Sequence, residues 1–162
     1  MAMLEYTLRT YQSPTRLVQR LGAIQELGRE ASLLGIRRPL LVTDAGVKAA
    51  GLLDTALEAL RSSDVEPVVF DRVRANPGVE LVDAGAKEYR AQGCDGLVAI
   101  GGGSSIDTAK GIGVVAVHDG SIVDYEWGHS PIRSRIPPKT CAPVAPDRSS
   151  AAAAPRIWSS CR

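Results

Sequence analysis

Three consecutive glycines, Gly101-Gly102-Gly103, follow the apolar run Gly96-Leu97-Val98-Ala99-Ile100 and precede a helical pattern that opens at Ser104. This strand, turn and helix constrain the chain more than any other stretch. A continuous apolar run of this length reads as a strand buried on both faces, which belongs to a parallel sheet. Glycines at its end free the backbone for positive φ and for close approach of a ligand, while unpaired N–H groups at the following helix start favour an anion. The stretch is a candidate phosphate cradle. The alternative is a tight turn with nothing bound, in which Ser104 and Asp107 form a capping box that satisfies the helix N–H groups. Both readings stay open on spacing alone. Gly101 and Gly103 supply two glycines of a G-x-G-x-x-G pattern, the third position holds Ile106, and no Gly-Lys-Ser/Thr ending makes a Walker loop.

The rest of the chain alternates helix and strand patterns. Residues 4–20 mix β-formers with Ser13-Pro14 and read as an N-terminal strand or hairpin. Ala23-Ile24, Leu27, Ala31 and Leu34 recur at helical spacing, with Gly35 placed as a C-cap. Pro39-Leu40-Leu41-Val42-Thr43-Asp44 is an apolar run that ends in a carboxylate. An acid there faces the crevice in which α/β folds bind ligands and can bond ribose hydroxyls; it can equally cap the next helix. Leu52 to Leu60 gives a second helix, Val65 to Phe70 a short strand weakened by Pro67, and Asn76-Pro77 a turn. Val79, Val82, Ala86 and Tyr89 give the next helix its apolar face, and Ser121 to Trp127 reads as a last short helix. Gly111 and Gly113 interrupt the helix from Ser104 at about 1 kcal/mol each relative to alanine, which makes sense where that helix presses closely on a neighbour.

This alternation predicts an α/β fold: a Rossmann-like parallel sheet with helices on both faces. Asp44, Asn76 and Gly101 to Asp107 all follow strands, so one crevice at the carboxyl edge gathers them. That convergence favours a phosphate or nucleotide ligand.

Composition excludes several classes. A formal charge of +1 over 162 residues gives no general attraction to nucleic acid or to an anionic membrane. No apolar run approaches the ~20 residues that span a bilayer, and the start lacks a signal-peptide pattern. Cys94, Cys141 and Cys161 suggest neither a disulfide framework nor a zinc cluster, so a soluble cytoplasmic protein is expected. From about Ile132 the pattern changes. Five of the ten prolines and a four-alanine run fall after it, and from Ser134 to Arg162 five basic residues face one acid. Residues 1–132 are therefore expected to be a dinucleotide-binding domain and residues 133–162 a disordered tail.

The run Gly101-Gly102-Gly103-Ser104-Ser105-Ile106-Asp107-Thr108-Ala109-Lys110 resembles the G-G-G-S-x-x-D-x-x-K element of the iron-containing alcohol dehydrogenase family. Ser13-Pro14, Leu41 to Asp44, Asn76-Pro77 and Ser121 to Glu126 match in family order. The resemblance implies NAD as cofactor, with Gly102, Gly103 and Ser104 at the pyrophosphate, Asp44 at the adenosine ribose, Asn76 at the cofactor's edge and Asp107 near the nicotinamide. An acid at Asp44 disfavours a 2′-phosphate, hence NAD over NADP. It further implies a small alcohol or aldehyde as substrate, a divalent metal (iron or zinc) that polarises the alcohol oxygen, and pairing of members through N-terminal strands into a homodimer. A glycerol or glycerol-1-phosphate dehydrogenase is the alternative within this class; a non-catalytic nucleotide-binding fragment is the alternative outside it. The chain departs from the family where Pro138 to Pro143 replaces a T-T-x-G-T-G-S-E element, and it carries no counterpart of the helical metal-binding domain. His118 and His129 read as structural or surface residues. The departure leads to the expectation of a truncated product whose tail follows a reading-frame change or an early stop, with no metal site of its own and no catalysis by this chain alone.

Overall fold

The structure is a computed structural model, and it describes residues 15–19, 21–126, 132–143 and 156–160. Among the described residues six strands form one sheet: β1 (Thr15–Gln19), β2 (Pro39–Asp44), β3 (Val68–Val73), β4 (Gly96–Gly101), β5 (Lys139–Pro143) and β6 (Arg156–Ser160), in spatial order β1-β6-β5-β4-β2-β3. The four strands from β3 to β5 run parallel, while β6 is antiparallel to both β5 and β1. The helices are α1 (Leu27–Leu33, entered through a 3-10 turn at Ala23–Glu26), α2 (Ala45–Ala49), α3 (Leu52–Arg61), α4 (Val79–Ala91) and α5 (Gly103–Ala116).

The sheet is covered on both faces, as the alternation requires. Leu41, Val98, Ile100 and Ala142 pack under α1, α2 and α3, through Leu27, Ala31, Val47, Ala56 and Leu60. Leu40, Val42, Leu97, Ala99 and Cys141 pack on the opposite face under α4 and α5, through Val82, Ala86, Ala109 and Ile112. The period of two along each strand divides the apolar run between the two layers. Gly35, at φ 74°, ends the first helical pattern as expected. The small residues of α5 do what the sequence suggested. A Cβ on Gly113 would lie 2.9 Å from Leu97, and one on Gly111 3.0 Å from Val82, so glycine lets α5 press on the sheet and on α4.

Two expectations change. The strand expected at 65–70 begins at Val68, after Pro67, and runs on to Val73, because proline cannot donate to the ladder with β2. The segment from 133, expected to be disordered, instead supplies β5, which pairs with β4 and buries Thr140, Cys141 and Ala142. Its prolines bracket the strand without interrupting it: Pro138 accepts a bond from the Leu97 N–H with its carbonyl, and Pro143 closes the strand opposite Gly101. Residues 144–155 and 161–162 of the expected tail, with Ser13-Pro14 and His129, lie outside the described residues. Among the described residues no helix is long and apolar enough to cross a membrane.

Candidate functional site

Because β2, β3 and β4 are parallel, their carboxyl ends meet at one edge, and the structure brings Asp44, Asn76 and the glycine loop to it. Asp44 ends β2 and starts α2. Its Oδ1 accepts from the Val47 N–H at 3.0 Å, so the helix-cap reading of the sequence holds. Its Oδ2 accepts from Ser105 Oγ, also at 3.0 Å, across 61 residues of sequence. Asn76 occupies the exposed turn after β3 with φ at 51°, a left-handed conformation that asparagine tolerates better than most residues.

The three glycines divide into two kinds. Gly101 is buried at φ 144°, and a Cβ there would fall on Ser105 Oγ and come within 2.8 Å of Asp44 Oδ2. Its bareness serves the protein. Gly102 and Gly103 are exposed, and a Cβ on either would meet nothing within 4 Å. Their bareness leaves room for something else.

The capping box of Ser104 and Asp107, the alternative reading of this stretch, is absent. Gly102, extended at φ −80° and ψ −167°, is the N-cap, the helix starts at Gly103, and no side chain caps it. Ser104 is thus the second helical residue rather than the cap, half-buried, with its carbonyl accepting from Thr108 Oγ1 at 2.7 Å. Asp107 lies a full turn in, exposed and ion-paired with Lys110 at 2.9 Å. A capping box does form elsewhere, between Ser121 and Asp124. The first N–H groups of α5 therefore face the open edge with only the first helical bond, Ile106 N–H to Gly102 carbonyl, behind them.

Beside this edge Lys48 of α2 bonds Asp71 of β3 at 2.8 Å. That hydrogen bond, then the pair's mutual attraction, raises the Lys48 pKa and lowers that of Asp71, so both stay charged. Two buried polar side chains at the edge were not singled out in the sequence. Ser105 is one; Thr43 is the other, donating from Oγ1 to the Ile100 carbonyl at 2.9 Å and tying β2 to β4 just below the loop. Ser105 occupies a variable position of the ten-residue motif, and only a contact between distant segments reveals it.

His118 is a structural histidine. Its Nδ1 lies 2.7 Å from the Val114 carbonyl, and its Nε2 accepts from the N–H groups of Arg133 and Ser134 at 3.1 and 3.0 Å. Among the described residues no three His, Cys, Asp or Glu side chains converge as a metal site would need. Cys94 and Cys141 are buried free thiols, each pushed up to about 11, chiefly by burial. Hollows of about 610 and 650 Å³ lie at the opposite end of α5, around His118 and Val117, away from the glycine edge.

A parallel sheet with helices on both faces, an uncapped helix after a glycine turn and a carboxylate on the neighbouring strand define a Rossmann-like domain. The family model for iron-containing alcohol dehydrogenase matches residues 14–145, a span that passes the compositional change at Ile132 and includes β5. The chain belongs to the iron-containing alcohol dehydrogenase family, whose members are NAD-dependent oxidoreductases. It is 47% identical to a choline dehydrogenase of Bacillus subtilis (strain 168) over 137 residues, 83% of this chain and 34% of that protein. It is 46% identical to a 4-hydroxybutyrate dehydrogenase of Cupriavidus necator over 126 residues, 76% of this chain and 32% of that one. Among solved structures, an NADH-dependent butanol dehydrogenase A of Thermotoga maritima matches with a TM-score of 0.77 and 27% identity, over 82% of this chain and 33% of that one. A sulfoacetaldehyde reductase of Bifidobacterium kashiwanohense in complex with NAD+ matches at 0.73 and 28% identity, over 85% and 36%. The chain spans about a third of the length of these relatives.

Proposed function

We propose that this chain is the dinucleotide-binding part of an NAD-dependent dehydrogenase that acts on the CH–OH group of short-chain alcohols or on the matching aldehydes. The observation that carries the reading is the open space over Gly102 and Gly103 at the uncapped start of α5, beside the Asp44 carboxylate. Backbone N–H groups at a helix start, with the helix dipole behind them, suit a pyrophosphate. The residues present thus fit NAD. Gly102, Gly103 and Ser104 would hold the pyrophosphate, Asp44 the adenosine ribose hydroxyls, Asn76 the cofactor's edge and Asp107 the nicotinamide side. A fixed negative charge at Asp44 disfavours a 2′-phosphate and so selects NAD. The chemistry the dinucleotide supplies when bound is acceptance or donation of a hydride at the nicotinamide.

The metal of the family is a different matter. The described residues do not fit one, since no acidic, thiol and imidazole groups converge and His118 has both ring nitrogens engaged with backbone. For this chain, binding without turnover is the reading these residues support.

The test is a calorimetric NAD titration with a parallel thermal-shift series. Saturable heat and a rise in the unfolding midpoint are expected; neither appearing would sink the assignment. Oxidation of simple alcohols by this chain with added NAD and iron would overturn the restriction to binding.

A further inference from the structure

We propose that Ser105 is a positioning residue for Asp44, holding its carboxylate in one direction and so acting as a second determinant of which dinucleotide the edge accepts. The proposal rests on the preceding reading that this edge binds a dinucleotide. A carboxylate at a strand end ordinarily turns about its last torsion. The bond from the Val47 N–H fixes one oxygen of Asp44 only, and it comes from three residues away on the helix that Asp44 itself caps. The carboxylate could still rock about that contact. The bond from Ser105 Oγ to the other oxygen, at 3.0 Å, reaches across from the first turn of α5 and removes that freedom.

Three features make this bond more than incidental. Ser105 is 0% exposed, so no solvent competes for its hydroxyl, and a donor to a charged acceptor in such a place bonds strongly. Gly101 is shaped around it: at φ 144°, any Cβ would land on the serine oxygen and crowd Asp44 Oδ2. The first glycine of the loop thus serves the Ser105–Asp44 pair, whereas the second and third face open space. Finally, the bond joins the two halves of the proposed site, because Ser105 lies on the helix whose start would hold the pyrophosphate and Asp44 on the strand whose end would hold the ribose.

A carboxylate oxygen has lone pairs for two donors. With one donor on each oxygen supplied by the protein, Asp44 keeps acceptor capacity for vicinal hydroxyls, in a direction it cannot leave. A 2′-phosphate would meet a negative charge that cannot swing aside. Without the serine hydroxyl the carboxylate can turn, its grip on the hydroxyls loosens and its repulsion of a phosphate falls.

The test measures NAD and NADP affinities by calorimetry for the full chain, for Ser105→Ala, for Ser105→Cys and for Asp44→Asn. Cysteine is near serine in volume and donates weakly, so it keeps the test valid where alanine costs too much stability. The wild type is expected to prefer NAD, and both Ser105 variants to lose about tenfold of that preference. Equal weakening towards both dinucleotides, with the ratio intact, would mark Ser105 as merely structural and overturn the proposal. So would an unchanged ratio in the Ser105 variants while Asp44→Asn abolishes the preference; in that case the assignment of the edge to NAD stands and only the role of Ser105 fails. A wild type that binds neither dinucleotide overturns both readings.

Discussion

The two ends of α5 are treated in opposite ways. At its carboxyl end the Arg90 guanidinium, reaching from α4, donates to the carbonyls of Val115, Ala116 and His118, at 3.1 Å to Ala116 and 2.7 Å to His118. The His118 ring donates from Nδ1 to the Val114 carbonyl of the last turn, and its Nε2 accepts from the N–H groups of Arg133 and Ser134, which ties that segment to the helix end. The protein closes this end itself. At the amino end no side chain caps the helix, and two exposed glycines leave the first N–H groups uncovered. Every helix leaves unpaired groups at both ends, and folding alone would favour covering both. The difference agrees with the proposed site: one end is finished by the protein, and the other is left open, as a bound anion would require.

Forcing the open end to close from beneath has the largest expected effect. Gly101→Ala places a Cβ on the Ser105–Asp44 pair at a φ of 144° and should cost about 2–4 kcal/mol. Urea unfolding would show it as a lower midpoint at unchanged slope; a midpoint equal to wild type would mean that the loop has slack. Opening the closed end comes next. Arg90→Ala strips three carbonyls of their donor and should cost about 2 kcal/mol. NAD affinity should stay within about twofold, since the far end of the helix bears no part of the proposed site. A large loss of affinity there would show that the two ends are not independent.

Much of this comparison could be read from the residues, and the unreadable part has a common cause. The runs Pro39 to Asp44 and Gly96 to Ile100 announced strands because central parallel strands are buried on both faces and need apolar residues throughout. Leu52 to Leu60 and Val79 to Tyr89 announced helices by period. Strand β5 was hidden because Lys139-Thr140-Cys141-Ala142-Pro143 has small and polar residues between prolines, and its burial comes from β4, β6 and α1 rather than from its own hydrophobicity. Helix α5 starts at Gly103, one residue before the pattern opens at Ser104, because Ser104 and Asp107 imitate a capping box that an extended Gly102 pre-empts. The Ser105–Asp44 bond joins positions 61 apart, and no local pattern encodes it.

The open end can be tested without disturbing the fold. Gly103→Ala puts a methyl group into space that contains no protein atom within 4 Å, at the first residue of a helix, where alanine is the better helix former. Stability should hold or rise by a few tenths of a kcal/mol, while NAD affinity falls about tenfold, near 1.4 kcal/mol. A variant that binds as tightly as wild type would show that no ligand approaches this glycine closely.

The smallest expected effect sharpens the comparison from the closed side. Tyr89 and Cys94, at the carboxyl end of α4 against that closed end, are buried, and burial is the first cause that raises the phenol to about 12 and the thiol to about 11. Cys141 beneath α5 is likewise raised to about 11 from an ordinary 9.0. A raised thiol pKa means that the folded state holds the proton more tightly than the unfolded one. Its contribution is therefore fully present below about pH 9 and is lost as pH rises through about 11. The thermal midpoint should be flat up to pH 9 and then fall, and Cys94→Ala should flatten part of that fall while lowering the plateau. If the closed end is as dry as its bonding implies, Cys94 and Cys141, followed separately from Cys161 by peptide mapping, will resist alkylation at pH 8 until denaturant is added; prompt alkylation of Cys94 in the native chain would show that water reaches this end too.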